Sequence, residues 1–99
     1  MDMEALMAQA AELQSKVSAA QEQLAKTTIK GIADNGACIV DMTGKYDMLG
    51  VKIHPDLLTR GADAVSAAVM SAYRDAKRKA DALIDKVMGD ATEGMPIPA

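Results

Sequence analysis

Four cations fall within six residues at Arg74-Asp75-Ala76-Lys77-Arg78-Lys79, the one stretch of this chain whose residue types imply a particular partner. Set along an exposed helix, such side chains could follow a phosphate backbone, each neutralised phosphate releasing counterions and adding a salt-dependent increment to affinity. The competing reading is a solvated helix face with pairs of its own. Lys77 reaches Asp81 at i+4, whereas Arg74 meets Asp81 only distantly. Charge alone favours the solvated face, because the 99 residues carry a net charge of −3. No aromatic residue is interleaved with the cations, which disfavours reading of single strands or RNA by stacking.

Other candidate chemistry is sparse. His54 stands close to Asp56, the composition of an acid/base pair, but it is the only His and has neither a nucleophile nor a ligand cluster beside it. A structural role is expected for it. Cys38 alternates with Val40 and Met42 and reads as a small buried hydrophobe; no positive neighbour is at hand to make its thiol reactive. The eight Met residues suggest an adaptable surface, although Met3, Met42 and Met88 fall at core-compatible positions. There is no Gly-rich phosphate loop, no CxxC and no GxSxG. An enzyme is therefore not expected, and no catalytic residue, metal, cofactor or small-molecule substrate is assigned.

The elements that carry these residues are organised around Gly36 to Leu58, the only part with a clearly non-helical pattern. Cys38, Val40 and Met42 alternate with their neighbours, as do Leu49, Val51 and Ile53. Asp34-Asn35-Gly36 predicts a tight hairpin after a first strand at about Thr27 to Ala33, and Gly44-Lys45-Tyr46-Asp47 predicts a second connection. A three-stranded antiparallel meander follows. Before it, Met3, Leu6, Ala10, Leu13, Val17, Ala20 and Leu24 form a heptad seam that predicts a helix capped by Asp2 and ended by Thr27-Thr28-Ile29. Asp2 to Lys26 would span roughly 38 Å, longer than so small a sheet could cover, so part of it must project or meet another chain. After the meander, Pro55 opens a short helical turn whose Leu57 and Leu58 fold back on the sheet. A second long helix is predicted from Ala62 to about Met88, packing through Val69, Tyr73, Ala76, Ala80, Leu83 and Val87.

The fold class is thus α+β in a single domain, residues 1–88, with 89–99 read as a flexible tail because Gly89 breaks the period and Gly94-Met95-Pro96-Ile97-Pro98 reads as extended. The core is poor in large side chains, with no Phe or Trp and only two Tyr, which makes oligomerisation the expected remedy. Leu6, Leu13, Val17, Leu24, Val51 and Ile53 are the residues expected to pack the core or a dimer interface. Positive charge is concentrated in one segment, +2 over residues 59–88 against −2 over residues 1–26. One Cys allows no internal disulfide, and no export signal or long apolar span is visible, so a soluble cytoplasmic protein without a membrane partner is expected.

In this order, the heptad helix, the meander ending in Val51-Lys52-Ile53-His54-Pro55-Asp56-Leu57-Leu58, the Ala72-Tyr73-Arg74-Asp75-Ala76 step and the closing Gly94-Met95-Pro96-Ile97-Pro98 together resemble the YbaB/EbfC family of bacterial nucleoid-associated proteins over nearly the whole chain. The resemblance implies a homodimer whose helices project like the arms of a tweezer. It would bind double-stranded DNA in the nucleoid with little sequence preference and act on chromosome organisation and gene expression. Two departures stand out. Met1-Asp2-Met3-Glu4 replaces a Gly- and Lys-rich start, and Arg74 is basic where a small polar residue is usual. Arg74, Lys77, Arg78 and Lys79 are the expected DNA contacts, with Lys16 and Lys86 secondary. The alternative is a dimeric helical protein-interaction module, working through the heptad seam and Met-rich surface, with weak or no DNA binding.

Overall fold

The computed structural model describes residues 2–92. It has the α+β order expected from the sequence: helix α1 (Met3–Lys26), strands β1 (Thr28–Ala33), β2 (Cys38–Thr43) and β3 (Met48–Ile53), the short helix α2 (Pro55–Leu58) and helix α3 (Ala62–Thr92). The strands form an antiparallel sheet in the order β1-β2-β3. Asp2 caps α1, its carboxylate accepting from the Glu4 N–H at 3.2 Å, and Thr27 closes it through its hydroxyl, which donates to the Gln23 carbonyl at 2.7 Å.

Strand alternation sends Ile29 of β1 and Cys38, Val40 and Met42 of β2 to one face, where they form a single buried cluster with Leu57 of α2 and Ala68, Ala72, Ala76 and Ala80 of α3. The helix presents alanine at every fourth position, and this narrow stripe lets β1 lie directly against it. Gly31 marks the closest approach: a Cβ there would stand 2.0 Å from the Ala72 carbonyl oxygen and 2.6 Å from Ala76 Cβ. The helix packs on β1 and β2 rather than on β3. Consequently Met48, Leu49 and Val51 of β3 remain exposed.

Several sequence expectations are corrected here. The packing face of α3 runs through Ala68 and Ala72, while Tyr73 is 38% exposed and Val69 only half-buried. Leu49 does not continue the alternation of β3; Asp41 pairs with Gly50 and Met42 with Met48, so Leu49 is the extra residue of a bulge and points out. Of the two α2 leucines, Leu57 is fully buried and Leu58 is exposed. In the first turn Asp34, Asn35 and Gly36 all take positive φ. In the second, positive φ falls on Tyr46 (68°) rather than on Gly44, whose missing Cβ instead admits the Leu24 carbonyl, 2.8 Å from where that atom would lie. The last helix does not stop at Met88 but runs through Gly89 to Thr92. The extended tail expected at Gly94 to Pro98 lies outside the described residues.

The far part of α3 leaves the sheet and packs on α1, where Ala20, Leu24 and Val87 are buried together with Leu83, Ile84, Met88 and Ala91 around them. Of the heptad seam, only Ala20 and Leu24 are buried. Leu13 and Val17 are half-buried, and Met3 (70%) and Leu6 (42%) are exposed. Val51 is likewise exposed, and Ile53 half-buried against the main cluster. The molecule therefore has a sheet-based body and a two-helix arm, and measures 67 × 21 × 16 Å. Its radius of gyration is 19.0 Å, against about 13 Å for a compact chain of this length.

Candidate nucleic-acid interface

Burial of Ala68, Ala72, Ala76 and Ala80 fixes the rotation of α3, and with it the direction of every cation in the cluster. At 100° per residue Arg74 and Arg78 fall opposite the alanine stripe, Lys77 on the flank beside the β2–β3 turn, and Asp75 and Lys79 on the flank beside β1. The helix thus displays Arg74, Lys77 and Arg78 to solvent, as the sequence suggested, with Lys79 half-buried.

Most of these cations are already paired. The Lys77 ammonium lies 3.7 Å from Asp81 Oδ2 and 6.0 Å from the centroid of the Tyr46 ring. Arg78 Nη2 donates to Asp75 Oδ1 at 2.5 Å. Lys79 Nζ stands 2.9 Å from Asp75 Oδ2 and donates to the Lys30 carbonyl at 2.9 Å. Lys16, far out on the arm, sits 3.4 Å from Glu12. Among the described residues Arg74 and Lys86 form no ion pair. Lys86 follows Lys79 by two helical turns, roughly 10 Å along the axis, and so belongs to the arm; the structure does not bring it or Lys16 into the cluster.

Sequence reasoning found the Lys77–Asp81 pair and missed Asp75. That carboxylate also accepts from the Ile32 backbone N–H, at 2.9 Å, on the open edge of β1. The Ile32 N–H first, then Lys79 and Arg78, hold the Asp75 carboxyl well below the usual carboxylate range. Its i+3 and i+4 spacing to Arg78 and Lys79 was readable; its contact with β1 was not. Tyr46 was also missed. Its hydroxyl donates to Asp81, which pushes the phenol above its ordinary value and ties the β2–β3 turn to α3.

The remaining sequence candidates are structural. His54 Nδ1 accepts from the Asp56 N–H at 3.1 Å and so caps α2. Cys38 is fully buried, and burial pushes its thiol up, away from reactivity. A shallow groove of about 220 Å³ between β1 and α3, lined by Ile32, Ala33, Asp34, Ala67, Ala68 and Ser71, is smaller than a usual small-molecule site. Among the described residues no group of His, Cys, Asp or Glu could hold a metal ion, and no helix is long and apolar enough to cross a membrane.

Charge divides along the same line as shape. Residues 27–79, the body, hold eight Lys and Arg against six Asp. In the arm, residues 2–26 and 80–92 hold three Lys against seven carboxylates.

Comparison with known proteins agrees with this architecture. The chain is 37% identical to a nucleoid-associated protein of Bradyrhizobium diazoefficiens, over 98% of this chain and 92% of the relative. It is 39% identical to one of Gluconobacter oxydans, over 95% and 89%. An uncharacterized protein of Helicobacter pylori has the same fold, with a TM-score of 0.80 at 19% identity over 91% of this chain and 96% of that one. The model of the YbaB/EbfC DNA-binding family, which is not an enzyme family, matches residues 1–95, and the chain belongs to that family.

Proposed function

We propose that this chain is a non-enzymatic, nucleoid-associated protein of the cytoplasm that binds double-stranded DNA as a homodimer with little sequence preference, and that it thereby affects chromosome organisation and gene expression. The observation that carries this reading is the row Arg74, Lys77 and Arg78, held outward on α3 by the alanine stripe in the more basic half of the molecule. Cations on one rigid helix contact phosphates, which position a protein without reading sequence. The acidic arm is a poor partner for a polyanion, so the grip falls on α3 of the body, with Arg74, Lys77, Arg78 and Lys79 as contacts, Lys86 at its margin and Lys16 contributing least.

The homodimer draws support from the sheet. On the β1 edge Asp75 and Lys79 engage the Ile32 N–H and the Lys30 carbonyl, whereas β3 pairs, among the described residues, only with β2 and exposes Met48, Leu49 and Val51. An uncovered apolar edge strand is a surface that a second copy can bury. A second reading, a protein-interaction module, is favoured by the exposed Met3, Leu6 and Met7 on the acidic arm.

Fluorescence anisotropy of a labelled duplex at several salt concentrations, with and without Ala at Arg74, Lys77, Arg78 and Lys79, separates the two. The DNA reading expects affinity to fall steeply with salt, and the substitutions to lower both the affinity and the slope, the latter by about 0.9 for each phosphate no longer neutralised. No binding even at low salt sinks it and turns attention to a protein partner for the arm.

A further inference from the structure

Half of the cationic cluster on α3 is held by one carboxylate. Asp75 Oδ1 accepts from Arg78 Nη2 at 2.5 Å, while Oδ2 accepts from the Ile32 N–H and lies against Lys79 Nζ, both at 2.9 Å. The two sides of this arrangement differ in exposure. The Asp75 side chain is only 20% exposed and is fixed to the strand by Ile32, whereas the Arg78 side chain is 74% exposed. Lys79 is tethered twice, to Asp75 and to the Lys30 carbonyl. A phosphate approaching α3 thus meets Arg78 and Lys79 already bound to an anionic oxygen of the kind it would itself offer.

We propose that Asp75 is a positioning residue that sets the strength of DNA binding, holding Arg78 and Lys79 against the β1 edge as an internal competitor for phosphate. This rests on the DNA-binding reading above. Transfer of Arg78 to a phosphate exchanges one charge-assisted hydrogen bond for another, so its net contribution is small, and the Asp75 charge remains beside the bound polyanion. Arg74, on the same outer face and without an ion pair among the described residues, meets no such competition. The basic cluster therefore acts with fewer effective cations than its four residues suggest.

The test is Asp75→Asn, whose amide oxygen can still accept from the Ile32 N–H while the charge that holds Arg78 and Lys79 is removed. Duplex binding is followed by anisotropy between about 50 and 200 mM salt, in parallel with circular dichroism to check folding. Freeing one or two cations steepens the plot of log K against log salt by about 0.9 to 1.8, equivalent to a further drop of about 3- to 12-fold across that range. At the low-salt end Asp75→Asn binds more tightly than wild type. The same substitution in an Arg78→Ala, Lys79→Ala background must abolish this gain, because nothing is left to release. A gain that survives there is a bulk charge effect and overturns the proposal, as does an unchanged slope in Asp75→Asn. Should Asp75→Asn fail to fold, Asp75→Ser also keeps an acceptor, removes the charge and carries the same expectation. Wild type that binds while the variant is no different removes only the role of Asp75. If neither binds at low salt, the DNA reading falls and this proposal falls with it.

Discussion

The body and the arm of this molecule exclude water in different ways. In the body, α3 lies so close to β1 at Gly31 that only glycine fits there against Ala72 and Ala76, and the cluster reaches from Ile29 to Ala80 through residues distant in sequence. In the arm, two helices meet along one short seam of larger side chains, with Leu24 and Val87 at its centre, and α1 runs on beyond it with Met3, Leu6 and Met7 exposed. The body is therefore intolerant of added volume, whereas the arm depends on a few large side chains. The charge contrast follows the same border, with the candidate DNA surface on the more tightly packed half.

The sharpest way to break the comparison is to add one methyl group to the body. A Cβ on Gly31 meets backbone, the Ala72 carbonyl at 2.0 Å and the Ala76 nitrogen at 2.6 Å, so no rotamer change can relieve it. Gly31→Ala is expected to destabilise the chain by about 3 kcal/mol, the upper part of the range for overpacked cores. The urea midpoint should fall with an unchanged m-value. A variant as stable as wild type would mean that α3 and β1 do not approach this closely.

Removing volume tests the arm. Leu24 is 4% exposed and anchors the smaller cluster, so Leu24→Ala is expected to cost about 2 to 3 kcal/mol, the low end for a buried leucine, because the surrounding seam is partly open. The effect should be local. Hydrogen exchange is expected to show α1 amides losing protection while those pairing β1 with β2 keep theirs. Equal loss in both regions would show that body and arm unfold as one unit.

How far the sequence discloses this structure follows from the same contrast. The meander was legible because Cys38, Val40 and Met42 alternate and Asn35-Gly36 supplies turn geometry; the helical span of α1 was legible because its seam uses Leu and Val. Of the alanine stripe, Ala76 and Ala80 were legible as packing positions, but Ala68 and Ala72 were not, since they carry little hydrophobic contrast beside Val69 and Tyr73 and their burial depends on Gly31, far away in the chain. Gly89 failed as a helix stop because Val87 and Ala91, on either side of it, pack on α1, and such tertiary contacts override propensity. For the candidate site, the cation cluster and the Lys77–Asp81 pair were legible from spacing on one helix. The contact of Asp75 with the β1 edge and that of Tyr46 with α3 were not, because each is made across elements distant in sequence.

Tyr46 lies where body and arm join, and its removal is the smallest of these perturbations. Its hydroxyl donates to Asp81, its ring lies under Lys77, and its backbone takes a φ of 68° to do so. The hydrogen bond to Asp81, chiefly, and the nearby carboxylates raise the folded-state phenol above its ordinary value of 10.0. A group whose folded pKa is raised contributes stability that is fully present below the unfolded pKa and disappears as pH rises through the folded one. Tyr46→Phe should therefore melt slightly below wild type at neutral pH, and the gap should close as pH climbs past about 10. Lysine deprotonation acts on both proteins over that range, so the difference between the two melting curves, rather than either alone, reports the phenol. Curves that stay parallel to high pH would show that the Tyr46–Asp81 bond does not hold the turn to α3, and that the turn meets the arm only where the Gly44 N–H donates to the Leu24 carbonyl.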